Sequence, residues 1–138
     1  MAERTFRAAA EELDNAIGFV EGELEALDFP MKGMMAISVA VEELFVNVAH
    51  YAYAPGTGDV IVTVDPLKTG GAVSGVRITL KDHGVPFNPL DKPDPDITLS
   101  AEERRIGGLG IYMVKKSMDS VSYEYTDSCN VLSITKNI

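Results

Sequence analysis

The sequence predicts one α+β domain, a two-layer α/β sandwich in which helices cover one face of a mixed, mostly antiparallel sheet. Three observations predict this. The chain has 138 residues, the usual size of a single domain. Residues 9–52 contain two stretches with apolar residues at helical spacing, whereas most of the remaining chain has the composition or alternation of strands. Short turns separate neighbouring strands, which favours antiparallel hairpins.

Three main helices are predicted. The first covers residues 9–27 and stops at a Phe-Pro pair, and the second covers residues 31–52 and stops at the turn residues 55–58. The third covers residues 111–118. A Ser-Ala-Glu-Glu sequence at 100–103 fits a capping box and predicts one further short helix.

The predicted strands are short and β-branched or alternating. They cover residues 3–8, 60–64, 73–81, 121–125 and 131–135. Residues 127–130 form the turn of the last hairpin. Residues 84–110 are mostly loop, and a loop of this length in a compact domain is usually functional.

The composition excludes several classes of protein. The chain has 12 Lys and Arg residues against 21 Asp and Glu residues, a net charge of −9, which disfavours direct binding to nucleic acid. Cys129 is the single cysteine, so an intramolecular disulfide or a multi-cysteine zinc site is excluded. No apolar run reaches the roughly 20 residues that span a bilayer. We therefore expect a cytoplasmic protein that contacts no membrane.

Polar side chains share one stripe of the second predicted helix. At about 100° per residue, Glu43, Asn47 and His50 lie close together and face away from the apolar side. An amphipathic helix with a solvated polar side explains this pattern. A ligand site is the alternative, because a glutamate can act as a general base and an asparagine oxygen suits Mg²⁺.

Two glycine-containing motifs follow. Asp82 and Gly84 end a predicted strand, where they form either an ordinary turn or a hydrogen-bond acceptor beside a closely approaching ligand. Gly107–Gly110 precedes the third helix, where it is either a hinge or a phosphate-binding loop. Each motif is ambiguous when taken alone.

In combination and in this order, the three motifs resemble those of the GHKL ATPase and kinase superfamily. Glu43–Asn47 is similar to its N box, and Asp82–Gly84 and Gly107–Gly110 are similar to its two glycine boxes. The chain particularly resembles bacterial anti-sigma-factor serine-protein kinases, in which the first glycine box is followed by Pro-Phe and a further proline. Here these residues are Pro86, Phe87 and Pro89. The resemblance covers residues 10–137.

This resemblance implies a Bergerat-type ATP-binding fold that spans residues 1–138, with a lid at about 90–106. It implies that Asn47 coordinates Mg²⁺, that Asp82 binds the adenine amino group and that Glu43 is the general base. Arg105, or its neighbour Arg104, would meet the γ-phosphate. The other implied nucleotide-binding residues are Gly84, Phe87, Gly107, Gly108, Leu109 and Gly110.

The resemblance also implies a function and partners. The chain would be an ATP-dependent serine/threonine kinase that phosphorylates a STAS-domain anti-sigma-factor antagonist, sequesters a sigma factor or another effector, and forms a homodimer. Two other functions stay open, a nucleotide-gated partner-binding module with little or no kinase activity and a simple ATPase. Glu43 disfavours the binding module, because a protein that only binds nucleotide needs no base.

Overall fold

A five-stranded antiparallel sheet forms one layer of the computed structural model, which describes residues 1–53, 56–91 and 109–138. Its spatial order is β1-β2-β3-β5-β4. The strands are β1 (Ala2–Arg7), β2 (Asp59–Thr69), β3 (Ala72–Asp82), β4 (Ser120–Thr126) and β5 (Cys129–Asn137). All five predicted strands are present, and all four pairings between them are antiparallel rather than mixed.

Three helices form the second layer, in agreement with the predicted architecture. They are α1 (Leu13–Ala26), α2 (Met31–Asn47) and α3 (Leu109–Ser117). The predicted second helix extends to Ala52 as expected, but its last five residues, Val48–Ala52, form a π-helical turn. Such turns are rare and occur frequently at functional sites.

The core lies between the two layers. The alternation in β3 buries Val76, Ile78 and Leu80, which belong to the same core cluster as the apolar stripe of α2. The stripe residues of α2 and its π-helical turn are all fully buried: Ile37, Val41, Leu44, Phe45 and Val48. The helix Met31–Ala52 is long and apolar enough to cross a membrane by length and composition alone. A core helix passes the same test, and this stripe lies inside the sandwich.

The same alternation explains how polar residues reach the core face of the sheet. Asp82 continues the buried row of β3, and Asn130 begins the buried row of β5. The register between these strands places Asp82 directly opposite Asn130. Two polar side chains therefore meet under the helices at one end of the sheet.

Most of the predicted lid lies outside the described residues, as does the predicted capping box at 100–103. The described beginning of the lid is the short 3₁₀ turn Pro89–Asp91. Lys115 Nζ of α3 donates a hydrogen bond of 3.2 Å to the Leu90 carbonyl, so α3 holds the start of this segment.

Candidate nucleotide site

A buried carboxylate lies at the end of β3. Asp82 has no solvent exposure, and its Oδ1 accepts hydrogen bonds from Gly84 N (2.8 Å) and Asn130 Nδ2 (2.9 Å). Within the described residues, Asp82 Oδ2 is the one buried side-chain nitrogen or oxygen that has no hydrogen-bond partner. An unsatisfied buried acceptor is costly, so this atom fits a ligand that brings an N–H donor. The amino group of adenine is such a donor.

Asn130 organises the loop that follows β3, and the sequence analysis did not single it out. Its Nδ2 also donates to the Val85 carbonyl at 2.8 Å. Its Oδ1 accepts hydrogen bonds from Phe87 N (3.1 Å) and from the Tyr123 hydroxyl. Asn130 is fully buried, and its bonds fix both the carboxylate of Asp82 and the path of the loop.

The π-helical turn forms the opposite wall of this loop. Val85 N donates to the Ala52 carbonyl at 2.8 Å, and a Cβ atom on Gly84 would overlap that same carbonyl. Gly84 therefore allows two backbone segments to approach closely. The Phe87 ring lies 5.4 Å from the Tyr51 ring, centroid to centroid, so the two aromatic residues tie the loop to the turn.

The side chain of Tyr53 makes a second connection between α2 and the sheet. Its hydroxyl accepts a hydrogen bond from His83 N at 2.8 Å and donates one to the Asp59 carbonyl at 2.6 Å. Burial raises the pKa of Tyr53, so this hydroxyl keeps its proton and its donor role at neutral pH.

Glu43 and Asn47 lie one turn apart on α2, as the helical spacing predicts, and both are half-buried. Asn47 Nδ2 donates to the Glu43 carbonyl at 2.7 Å, which leaves Oδ1 as the atom for a ligand. A Cβ atom on Gly110 would overlap the Glu43 carboxylate, so the first turn of α3 lies directly against this acid. His50 is exposed and is not part of this group.

Glu43 and the preceding residue, Glu42, differ in their burial and electrostatic surroundings. Burial raises the pKa of Glu43, and repulsion from the Glu42 carboxylate raises this pKa further. Glu42 itself is exposed. A half-buried acid with a raised pKa is suited to accepting a proton, whereas a solvated acid on the flank is not.

The described residues fit ATP and Mg²⁺ in chemical terms. Asp82 Oδ2 supplies the acceptor for the adenine base, and Gly110 lets the Glu43 carboxylate lie against the first turn of α3. Mg²⁺ is commonly held by one or two protein groups together with substrate phosphates, and the Asn47 oxygen is a ligand of that kind. The described residues contain no cluster of three or more His, Cys, Asp or Glu side chains that would hold a metal alone.

Several predicted site residues lie outside the described part of the chain. These are Gly107, Gly108, Arg104 and Arg105. Leu109 begins α3, but its side chain is also outside the description. The structure thus brings Glu43, Asn47 and Gly110 together on two helices and places Asp82, Gly84 and Phe87 on the adjoining end of the sheet.

An antiparallel sheet thus lies under helices, with an unsatisfied buried carboxylate beside Gly84 at one end of the sheet. The family described as histidine kinase-like ATPase domain matches residues 6–136, and the chain belongs to this family. The resemblance identified in the sequence and the predicted fold are thereby confirmed. Membership in an ATPase family implies ATP binding.

Individual relatives are distant. Over 101 residues the chain is 23% identical to the serine/threonine-protein kinase BtrW of Bordetella bronchiseptica. This match covers 73% of this chain and 68% of that protein. A solved structure of the RsbU and RsbW domains of Rv1364c from Mycobacterium tuberculosis is similar with a TM-score of 0.61 and 13% identity. The match covers 99% of this chain but 32% of that one, about a third. The histidine kinase domain of the blue-light activated histidine kinase EL346 from Erythrobacter litoralis has a TM-score of 0.53 and 16% identity, covering 90% of this chain and 60% of that one.

Proposed function

We propose that this chain is an ATP-dependent protein serine/threonine kinase that phosphorylates a STAS-domain anti-sigma-factor antagonist. In this proposal it acts as a cytoplasmic homodimer that also sequesters a sigma factor or another effector. The observation that carries the proposal is the half-buried Glu43 carboxylate, which has a raised pKa, one turn from Asn47 and against Gly110.

Each residue has a distinct role in the proposed reaction. In the proposed transfer the serine or threonine oxygen bonds to the γ-phosphorus of ATP bound with Mg²⁺, the bond to the β–γ bridging oxygen breaks, and ADP leaves. Glu43 accepts the proton of the attacking serine or threonine hydroxyl, and Asn47 holds the metal. Asp82 binds the adenine ring system through Oδ2, and Arg105 neutralises charge on the γ-phosphate.

Two considerations support a protein kinase over a module that only binds nucleotide. A module that only binds nucleotide has no use for a general base next to the phosphates, and the partial burial of the Glu43 carboxylate there costs free energy. The relative BtrW is named a serine/threonine-protein kinase, and the solved structure from Mycobacterium tuberculosis is named for an RsbW domain.

The test combines the purified protein with γ-labelled ATP, Mg²⁺ and candidate STAS proteins. We expect the label on the STAS protein. Glu43→Gln is nearly isosteric and should keep ATP binding while it lowers phosphotransfer about 10²–10⁴-fold, the usual contribution of a general base. Glu42→Gln is the matched control, because Glu42 is exposed, and it should stay close to the wild type.

Other outcomes would replace the proposal. Bound nucleotide without transfer to any STAS protein would indicate a nucleotide-gated binding module. Release of free phosphate without a phosphoprotein would indicate a simple ATPase. A larger loss in Glu42→Gln than in Glu43→Gln would assign the base to Glu42.

A further inference from the structure

A groove lined by three lysines lies at the end of the molecule opposite the candidate nucleotide site. It has a volume of about 510 Å³ and lies between the beginning of α2, the end of α3 and the end of β5. Lys32, Lys116 and Lys136 line it, and we call it the lysine groove. The rise of α2 separates Lys32 from Asn47 by about 22 Å, so the two sites do not overlap.

The floor of the lysine groove is apolar. Phe29 is buried, and its ring packs directly on Gly33, where a Cβ atom would lie 2.7 Å from the ring. Met31 and Met35 follow along the outer face of α2 and are 64% and 62% exposed. The molecule thus has an apolar groove floor and, on another face of the same helix, two exposed apolar side chains, and exposed apolar surface of this kind is typical of interaction surfaces.

Two of these lysines contact neutral groups. Lys136 Nζ donates to the Ser117 carbonyl at 2.9 Å, and Lys116 Nζ lies 5.5 Å from the Tyr112 ring centroid. Lys32 lies in the first turn of α2, which contains no acidic residue and where the helix dipole disfavours a cation.

A groove lined by three lysines stands out in a chain with a net charge of −9. Lys32 also opposes the dipole of its own helix. An anionic occupant would bring charges that complement the lysines and the start of this helix. The apolar floor requires in addition that the occupant carries an apolar group.

We propose that the lysine groove docks an acidic segment of a partner protein through carboxylates on its rim and one apolar side chain on its floor. A nucleic acid fits less well, since a long polyanion would extend beyond the groove onto an acidic surface. The proposal does not depend on kinase activity, because the groove lies apart from the candidate nucleotide site.

The probe for this proposal is a short fluorescein-labelled peptide of glutamates around a central leucine, followed by fluorescence anisotropy at low salt. We expect saturable binding that weakens with added salt. Lys32→Glu and Lys116→Glu should each weaken binding about three- to tenfold. Lys68→Glu is the matched control: Lys68 is exposed at the end of β2, and the substitution changes the net charge equally. All three variants should bind ATP as the wild type does.

Four results would overturn the proposal. These are no binding of the peptide, equal weakening by Lys68→Glu, equal binding of a peptide with glycine in place of leucine, and equal binding of a glutamine peptide. Tighter binding of a single-stranded oligonucleotide that is lost in Lys32→Glu would assign the groove to nucleic acid instead.

Discussion

Replacing Asp82 with asparagine tests the assignment of the base-binding pocket, because the structure fixes how the new side chain must lie. Asp82 Oδ1 accepts two hydrogen bonds, from Gly84 N and from Asn130 Nδ2. The asparagine oxygen must take this position, since a nitrogen there would face two donors. The new NH₂ group then occupies the position of Oδ2 and points its hydrogens at the adenine amino group.

The expected loss of affinity follows from this geometry. A hydrogen bond to a charged group contributes about 1.5–3 kcal/mol, and the opposed donors add an unsatisfied group worth about 1–3 kcal/mol. A total of about 2.5–6 kcal/mol weakens ATP binding by about sixtyfold to about twenty-thousandfold. Inosine triphosphate carries an acceptor oxygen in place of the amino group. Asp82→Asn should therefore improve its affinity relative to that of ATP.

Isothermal titration calorimetry with both nucleotides and Mg²⁺ measures this exchange of preference. Asp65→Asn is the control, because it makes the same chemical change on β2 away from the pocket. Unchanged ATP affinity in Asp82→Asn would refute the assignment of the adenine amino group to Oδ2. Equal weakening of both nucleotides would instead show that the substitution disturbs the fold.

Four further predictions concern the same site. The pH profile of kcat/KM should have its acidic limb above the ordinary glutamate pKa, because the pKa of Glu43 is raised, and Glu42→Gln should move this limb to lower pH. Any stability that protonated Glu43 contributes is present at low pH and is lost as the pH rises through its folded-state pKa. The free energy of unfolding of Glu43→Gln, measured by denaturation, should therefore not show this decrease with rising pH. Asn130→Ala should lower the free energy of unfolding by about 2–4 kcal/mol in urea denaturation, because it leaves several buried polar groups unpaired. A decrease below about 0.5 kcal/mol would show that water replaces the amide. Gly110→Ala should keep the fold but displace the Glu43 carboxylate, so its loss of phosphotransfer should not add to that of Glu43→Gln.

Local patterns predicted the helices and strands and the placement of several candidate site residues, because each depends on a short period in the sequence. The alternation of Val76, Ile78 and Leu80 gives the buried face of β3, and one further step reaches Asp82. The helical spacing of Glu43 and Asn47 likewise places them one turn apart. These features need no knowledge of distant contacts.

Features that depend on long-range pairing could not be predicted in this way. Asn130 acquires its role only because β5 lies beside β3 in a particular register. Extending the alternation of Leu132 and Ile134 backwards indicates that Asn130 is buried, but not that it lies opposite Asp82. The π-helical turn also escaped prediction, since its residues have ordinary helical composition.

The π-helical turn makes the pocket sensitive to the length of the chain as well as to its side chains. Deleting one residue within Val48–Ala52 would rotate everything after it by about 100° relative to α2. The carbonyl that now receives Val85 N would point elsewhere, while Glu43 and Asn47 would keep their positions. Such a deletion would detach the part of the candidate site around Asp82 from the part around Glu43 and Asn47. The one additional residue that this π-helical turn contains, compared with an α-helical turn, therefore sets the orientation of the two parts of the site relative to each other.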